Sequence, residues 1–296
     1  MKKTVFTGAA TALITPLNEN GIDYTNFERL INWQVEEDID ALVICGTTGE
    51  GSTLSDEEHR KAIEFAVKCV NGRVPVIAGT GSNDTSYALE LTKFACDAGA
   101  DSMLVVTPYY NKATQKGLIE TFTKIADVST KPIILYSVPS RTGVNILPDT
   151  CKVLAEHPNI AGIKEASGNI SQIAEIAAAV DGKMDIYSGN DDQIIPVLSL
   201  GGKGVISVLS NVLPKETSRM CHEFMSGNIE ESRKMQLKYL DFINALFCEV
   251  NPIPVKSAMS AMGFCDNYLR LPLTIMEKHN QEKMFEIMKN LGIKIN

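Results

Sequence analysis

No stretch of the 296-residue chain approaches the ~20 consecutive apolar residues that a bilayer-spanning helix needs. A membrane protein of the helical kind is therefore not expected. No run of like charge marks an interaction tail, and a net charge of −8 lacks the basic face that phosphate backbones require, so nucleic acid is not expected as a partner. None of the seven cysteines (45, 69, 96, 151, 221, 248 and 265) belongs to a C-x-x-C pair. Their odd number and wide spacing fit reduced core thiols in a cytoplasmic protein. The four histidines (59, 157, 222 and 279) form no H-E-x-x-H or similar pair, so no zinc site is expected. There is no internal repeat and no low-complexity tract. The patterns "NDT" at 83 and "NIS" at 169 fit a glycosylation acceptor, but in a cytoplasmic protein they are chance.

What is present is an α/β pattern. Apolar residues at 44% and charged residues at 22% give the balance of a soluble globular protein. Lys2 and Lys3 ahead of "TVFTGAATALI" imitate an export signal, but Thr4, Thr7, Gly8 and Thr11 interrupt the apolar run and Pro16 closes it. That segment reads as a first strand. Short β-branched runs recur at 7–15, 41–46, 75–80, 102–108, 132–139, 160–167, 184–190 and 204–210. They are nearly continuous in apolar residues, as parallel strands covered on both faces are. The intervals carry helical spacing and start signals. Asp23 is a good N-cap, and Ser55 with Glu58 makes an S-x-x-E capping box. Eight βα units in this length predict a closed (β/α)8 TIM barrel. An open doubly wound sheet would want a G-x-G-x-x-G after the first strand, and none is there.

The expected division is a catalytic barrel over residues 1–226 and a C-terminal helical domain over 227–296. "PKETSRMCHEFMSG" reads as the last barrel helix, with Pro214 in its first turn. Beyond it, "IEESRKMQLKYLDFINALF", "NPIPVKSAMSAMG" and "PLTIMEKHNQEKMFEIMKNLG" read as further helices. Methionines 220, 225, 235, 259, 262, 276, 284 and 288 read as packing residues.

Barrel chemistry sits where strands end. Lys164 in "GIKEASG" is the one lysine well inside a strand; Lys131 and Lys203 precede theirs. Burial there disfavours the ammonium, and a free amine at a barrel mouth is a nucleophile for a carbonyl carbon. The competing reading is a structural ion pair with Glu165 or Asp191, although Glu165, as the next residue, should face the other side of the strand. Tyr136, on the neighbouring strand at similar depth, is either a proton shuttle or a packing anchor. Thr47 and Thr48 in "GTTGEG" either cradle a carboxylate or close a tight turn. Tyr109 and Tyr110 suit packing, gating or an interface. Arg141, after strand five, suits a carboxylate or a surface ion pair. "LGGKG" at 200–204 imitates a phosphate loop but enters its strand at the opposite end of the barrel and is not G-x-x-x-x-G-K-[ST], so a phosphorylated sugar is not expected.

"GTTGEG", "TPYYNK", "YSVPSRTG", "GIKEASG", "YSGNDD" and "NPIPVK" together resemble the pyruvate-dependent class I lyases over essentially the whole chain. The resemblance implies a lysine Schiff base that needs no cofactor and no metal, and a homotetramer built as a dimer of dimers. It implies that Lys164 forms the imine with pyruvate, and that Tyr136, Thr47 and Tyr110 form a proton relay. Tyr110 would reach across an interface into a second copy. Thr48 would help hold the pyruvate carboxylate, Arg141 would bind the carboxylate of aspartate 4-semialdehyde, and the backbone at Gly189 and Ile206 would line the pocket. The paired threonines and Arg141 favour that condensing branch, in the diaminopimelate route to lysine. N-acetylneuraminate lyases and 2-keto-3-deoxy sugar acid aldolases share the lysine and tyrosine but tend to lack the arginine. A catalytically silent binding barrel would not need all five chemical residues. In feedback-inhibited members of this family, lysine is held by two histidines, an asparagine, a glutamate, a serine and a tyrosine. Here His59, Asn83 and Tyr109 remain, while Asp56, Gly51 and Tyr87 replace the rest, so lysine inhibition is expected to be weak or absent.

Overall fold

The computed structural model describes residues 2–296. Eight parallel strands close into a barrel: β1 (Gly8–Ala12), β2 (Ala41–Ile44), β3 (Val76–Gly79), β4 (Ser102–Val106), β5 (Ile133–Ser137), β6 (Ile160–Glu165), β7 (Asp185–Ser188) and β8 (Gly204–Ser207), with β8 pairing back onto β1. All eight fall within the expected runs. A small antiparallel pair, Leu17–Asn18 with Gly21–Ile22, follows β1.

Alternation along each strand sorts the side chains. Ala10, Ala41, Val43, Ile77, Ile134, Tyr136, Tyr187 and Ile206 fill the interior, while Leu42, Ile44, Ile133, Ile163 and Ile186 pack outward against the helices. The interior is closed low down by Phe6 stacked on Tyr187 at 4.4 Å between ring centroids, with the Tyr187 hydroxyl donating to the Phe6 carbonyl. Gly162 makes room for this plug, since a Cβ there would lie 3.1 Å from the Tyr187 ring. The open end is therefore the one at the strand C-termini.

The outer helices are α1 (Tyr24–Glu36), α2 (Asp56–Val70), α3 (Thr85–Asp97), α4 (Gln115–Val128), α5 (Pro148–Leu154), α6 (Ile170–Val180), α7 (Ile194–Ser199) and α8 (Pro214–Met225). Their starts follow the sequence signals. Asp23 accepts from the Asn26 N–H, and the Ser55–Glu58 box closes both of its reciprocal hydrogen bonds. Four more helices follow the barrel: α9 (Ile229–Lys238), α10 (Leu240–Ala245), α11 (Ile253–Ala261) and α12 (Lys278–Asn290); a single helical turn, Pro139–Thr142, after β5 carries Arg141.

Two expectations change here. Residues 272–277 are not helical; α12 starts only at Lys278. The strap ahead of it is pinned by burial of Leu269 and Met276 rather than by a helical ladder. Met225, the last residue of α8, is 40% exposed and is not a packing residue, unlike the fully buried Met220.

Candidate active site

Lys164 lies on β6 opposite Tyr136 of β5. That register depends on an irregularity: Ile133 pairs with Ile160, but Ile134 pairs with Gly162, so one residue is skipped. Without the skip, inward-facing Tyr136 would lie beside Ile163, which faces outward. With it, both side chains point into the barrel. Lys164 is 6% exposed and Tyr136 7% exposed, and the Lys164 Nζ stands 4.3 Å from the Tyr136 ring centroid.

The structural ion pair does not form. Glu165 faces outward, accepting from the Ser167 backbone N–H and hydroxyl and from Gln172 Nε2. Burial pushes its carboxyl above the usual carboxylate range. Asp191 Oδ2 accepts from the Val208 and Leu209 N–H groups, both at 2.9 Å. Burial raises this carboxyl too, against those hydrogen bonds and the Lys164 charge. Among the described residues, no carboxylate pairs with the Lys164 amine; the one fully buried ion pair joins Glu50 and Lys256.

The amine faces a cavity of about 180 Å³. Thr47, Thr48, Arg141 and Gly189 are on its wall with Lys164 and Tyr136. Gly189 is there because nothing larger fits: a Cβ would come within 2.6 Å of Ala166 Cβ and 3.1 Å of Lys164 Cε. Ile206 does not reach this wall. It is fully buried in the barrel interior, and Val208 lines the cavity instead. Tyr110 is not on the wall either; it is 92% exposed, with a left-handed φ of 69°.

The threonines sit in a loop of close contacts. The Glu50 N–H donates to the Thr47 carbonyl, and the Gly51 N–H to the Gly46 carbonyl. A Cβ at Gly51 would overlap the Cys45 carbonyl oxygen at 2.3 Å. The C-terminal segment braces this loop. Lys256 of α11 pairs with Glu50, and the Arg270 N–H also donates to that carboxylate. Burial lowers the Lys256 pKa against the pull of Glu50. Breaking one side of such a pair leaves an uncompensated buried charge, so the brace tolerates no single substitution lightly.

Phe247 and Asn251, from the same C-terminal segment, also line the cavity. Sequence reading placed this segment outside the site. Its signal in the sequence is the "NPIPVK" motif, with a lysine inside an apolar run. A second cavity, of about 350 Å³, adjoins the first across Gly46, Thr47, Tyr136 and Arg141. Its far wall holds His59, Tyr87 and Tyr109. There the Tyr87 hydroxyl donates to Asp56 Oδ1 at 2.9 Å, and His59 Nε2 meets the Gly79 carbonyl at 2.8 Å. Burial lowers the His59 pKa, which favours the neutral ring.

Fold and cavity together define a class: a (β/α)8 barrel holding a small pocket against one lysine amine that no carboxylate neutralises. The chain belongs to the dihydrodipicolinate synthetase family, whose model matches residues 5–291. It is 56% identical to the 4-hydroxy-tetrahydrodipicolinate synthase of Alkaliphilus oremlandii, over 98% of this chain and 100% of that one. The dihydrodipicolinate synthase of Aquifex aeolicus superposes with a TM-score of 0.96 at 44% identity, covering 98% and 100% of the two chains. A pyruvate complex of the chloride-inhibited enzyme from Acinetobacter baumannii superposes with the same TM-score of 0.96 at 43% identity, again covering 98% and 100%.

Proposed function

We propose that this chain catalyses the reaction of the 4-hydroxy-tetrahydrodipicolinate synthases: condensation of pyruvate with L-aspartate 4-semialdehyde, on the diaminopimelate route to lysine. The observation that carries the reading is the Lys164 amine, buried against Tyr136 at the cavity and free of any carboxylate partner. Its lone pair attacks the keto carbon of pyruvate, and loss of water leaves an imine. The protonated imine draws electrons from the adjacent methyl group, which gives up a proton and becomes the carbon nucleophile for the aldehyde. Tyr136 and Thr47 carry protons between the cavity and these atoms. Thr48 holds the pyruvate carboxylate, and Arg141, at the cavity rim, takes the carboxylate of the aldehyde. The cationic rim favours this acid over a polyhydroxylated sugar acid.

Sodium borohydride added with pyruvate should fix a mass gain on Lys164. Lys164→Ala should abolish that gain and lower turnover by about 10³-fold or more. Turnover that survives the substitution would sink the reading.

Three further features belong to the proposal. Residues 1–226 act as the catalytic barrel, and residues 227–296 as a helical brace that closes its mouth. The protein works in the cytoplasm as a homotetramer, in which Tyr110 completes the proton relay of a neighbouring copy. Its exposure and left-handed backbone support that role, since strained positions persist where function holds them. Lysine does not regulate it strongly. Tyr87, at the glutamate position, carries no charge to take a ligand's ammonium, and the Asp56 carboxylate beside it is already engaged by Arg60 and by the Tyr87 hydroxyl. Inhibition by submillimolar lysine in a steady-state assay would contradict this.

A further inference from the structure

Asn251 touches both anion-binding side chains of the cavity. Its Nδ2 donates to Thr48 Oγ1 at 3.0 Å, and its backbone carbonyl accepts from Arg141 Nη2 at 3.1 Å. Asn251 and Thr48 are 5% and 3% exposed, and both line the cavity. A threonine hydroxyl carries one proton and two lone pairs. In Thr48 one lone pair is occupied by the Asn251 amide, and among the described residues no protein group accepts the hydroxyl proton. The Asn251 amide turns its N–H toward Thr48 and leaves its own Oδ1 buried without a partner; in that orientation the Thr48 hydroxyl accepts on that side and keeps its own proton for the cavity.

We propose that Asn251 is a positioning residue for the keto acid: by donating to Thr48 Oγ1 it sets the direction of that hydroxyl, so that Thr48 presents its O–H to the pyruvate carboxylate. This rests on the proposed function and adds to it. The threonine loop alone does not determine which way the proton points. The C-terminal segment does, through a contact 203 residues away in sequence. A hydroxyl that donates to a carboxylate makes a charge-assisted hydrogen bond, whereas one turned to present its lone pairs repels the anion.

The test is Asn251→Asp, which keeps the shape and reverses the polarity. The ionised carboxylate accepts the Thr48 proton and removes it from the cavity. We expect KM for pyruvate to rise about tenfold or more at pH 8 relative to wild type, with a much smaller change in kcat. Towards pH 5, as the new carboxyl gains a proton and can donate again, the ratio of variant to wild-type KM should fall back. A purely structural defect would not follow the protonation of the introduced group. A KM ratio near one at every pH, or a raised ratio that ignores pH, overturns the proposal.

Should Asn251→Asp fail to fold, Asn251→Ala asks the same question. The freed hydroxyl can rotate, so KM for pyruvate should rise severalfold with kcat within about twofold; an unchanged KM overturns the proposal. Borohydride trapping of wild type with pyruvate is run alongside. If wild type is not trapped, the Schiff-base reading itself fails. If it is trapped and the variants keep wild-type KM, only the role of Asn251 fails.

Discussion

At the scale of single residues, the site is set by what small side chains leave open. Lys164 can lie over Tyr136 because position 189 has no Cβ. Gly189→Ala would put a methyl group against Ala166 and Lys164 Cε, and the amine would have to move. The fold should survive, with a cost of roughly 1–3 kcal/mol for overpacking. The misplaced nucleophile should lower kcat/KM by about 100-fold. Thermal unfolding and steady-state kinetics measured on the same sample separate the two effects, and full activity would show that Gly189 does not determine where the amine sits. The carboxylates near Lys164 make no ion pair with it: Glu165 is held by Ser167 and Gln172, and Asp191 is held through Oδ2 by two backbone N–H groups while its Oδ1 has no partner. That division of partners leaves the lysine free to react.

At the scale of elements, the cap of α2 is also the anchor for the strap ahead of α12. Glu58 closes the capping box with Ser55 and takes two hydrogen bonds from the Arg270 guanidinium. These contacts, with Arg270 first among them, hold the Glu58 carboxyl at about 2, below its ordinary 4.5. A depressed carboxyl pKa stabilises the folded state fully above the unfolded value, and that contribution disappears as pH falls through the folded one. Glu58 should therefore contribute in full above about pH 4.5 and lose its contribution between there and about pH 2. Glu58→Gln should be less stable than wild type at pH 7 by about 1 kcal/mol, a small figure because the pair is partly exposed. The gap should close as the pH is lowered through that window. Denaturant melts at stepped pH measure it, and a gap that widens in acid would refute the assignment.

At the scale of the whole molecule, one residue of the proposed relay lies outside the chain's own cavity. Tyr110 stands 92% exposed while Lys164, Tyr136, Thr47 and Arg141 converge. If it serves a second copy, Tyr110→Phe and Lys164→Ala chains should each be nearly inactive alone. After co-refolding they should regain a measurable fraction of activity, because mixed assemblies contain sites with an intact lysine and an intact neighbouring tyrosine. No recovery in mixtures whose exchange is verified by mass would place the relay within one chain.

Much of this was legible in the sequence. Continuous apolar runs at the spacing of βα units specify a parallel barrel because strands buried on both faces tolerate little else, and a lysine inside such a run stands out against that background. Caps such as Asp23 and Ser55–Glu58 are readable because their hydrogen bonds are local. The segment 272–277 carries apolar spacing that predicts helix but is not helical, because it is pinned by burial of Met276 and, just ahead of it, Leu269, which no local pattern announces. The skipped residue between β5 and β6 that brings Tyr136 opposite Lys164 is a property of how two strands meet. Asn251 on Thr48, Lys256 on Glu50 and Val208 in place of Ile206 on the wall likewise depend on closure of the barrel and docking of the C-terminal helices. The sequence alone determined the architecture and singled out Lys164 as the candidate nucleophile, since both follow from short-range hydrophobic patterning and residue chemistry. Only the tertiary structure decided which distant side chains orient that nucleophile's neighbours, because those contacts form between segments that the chain brings together only when the barrel closes.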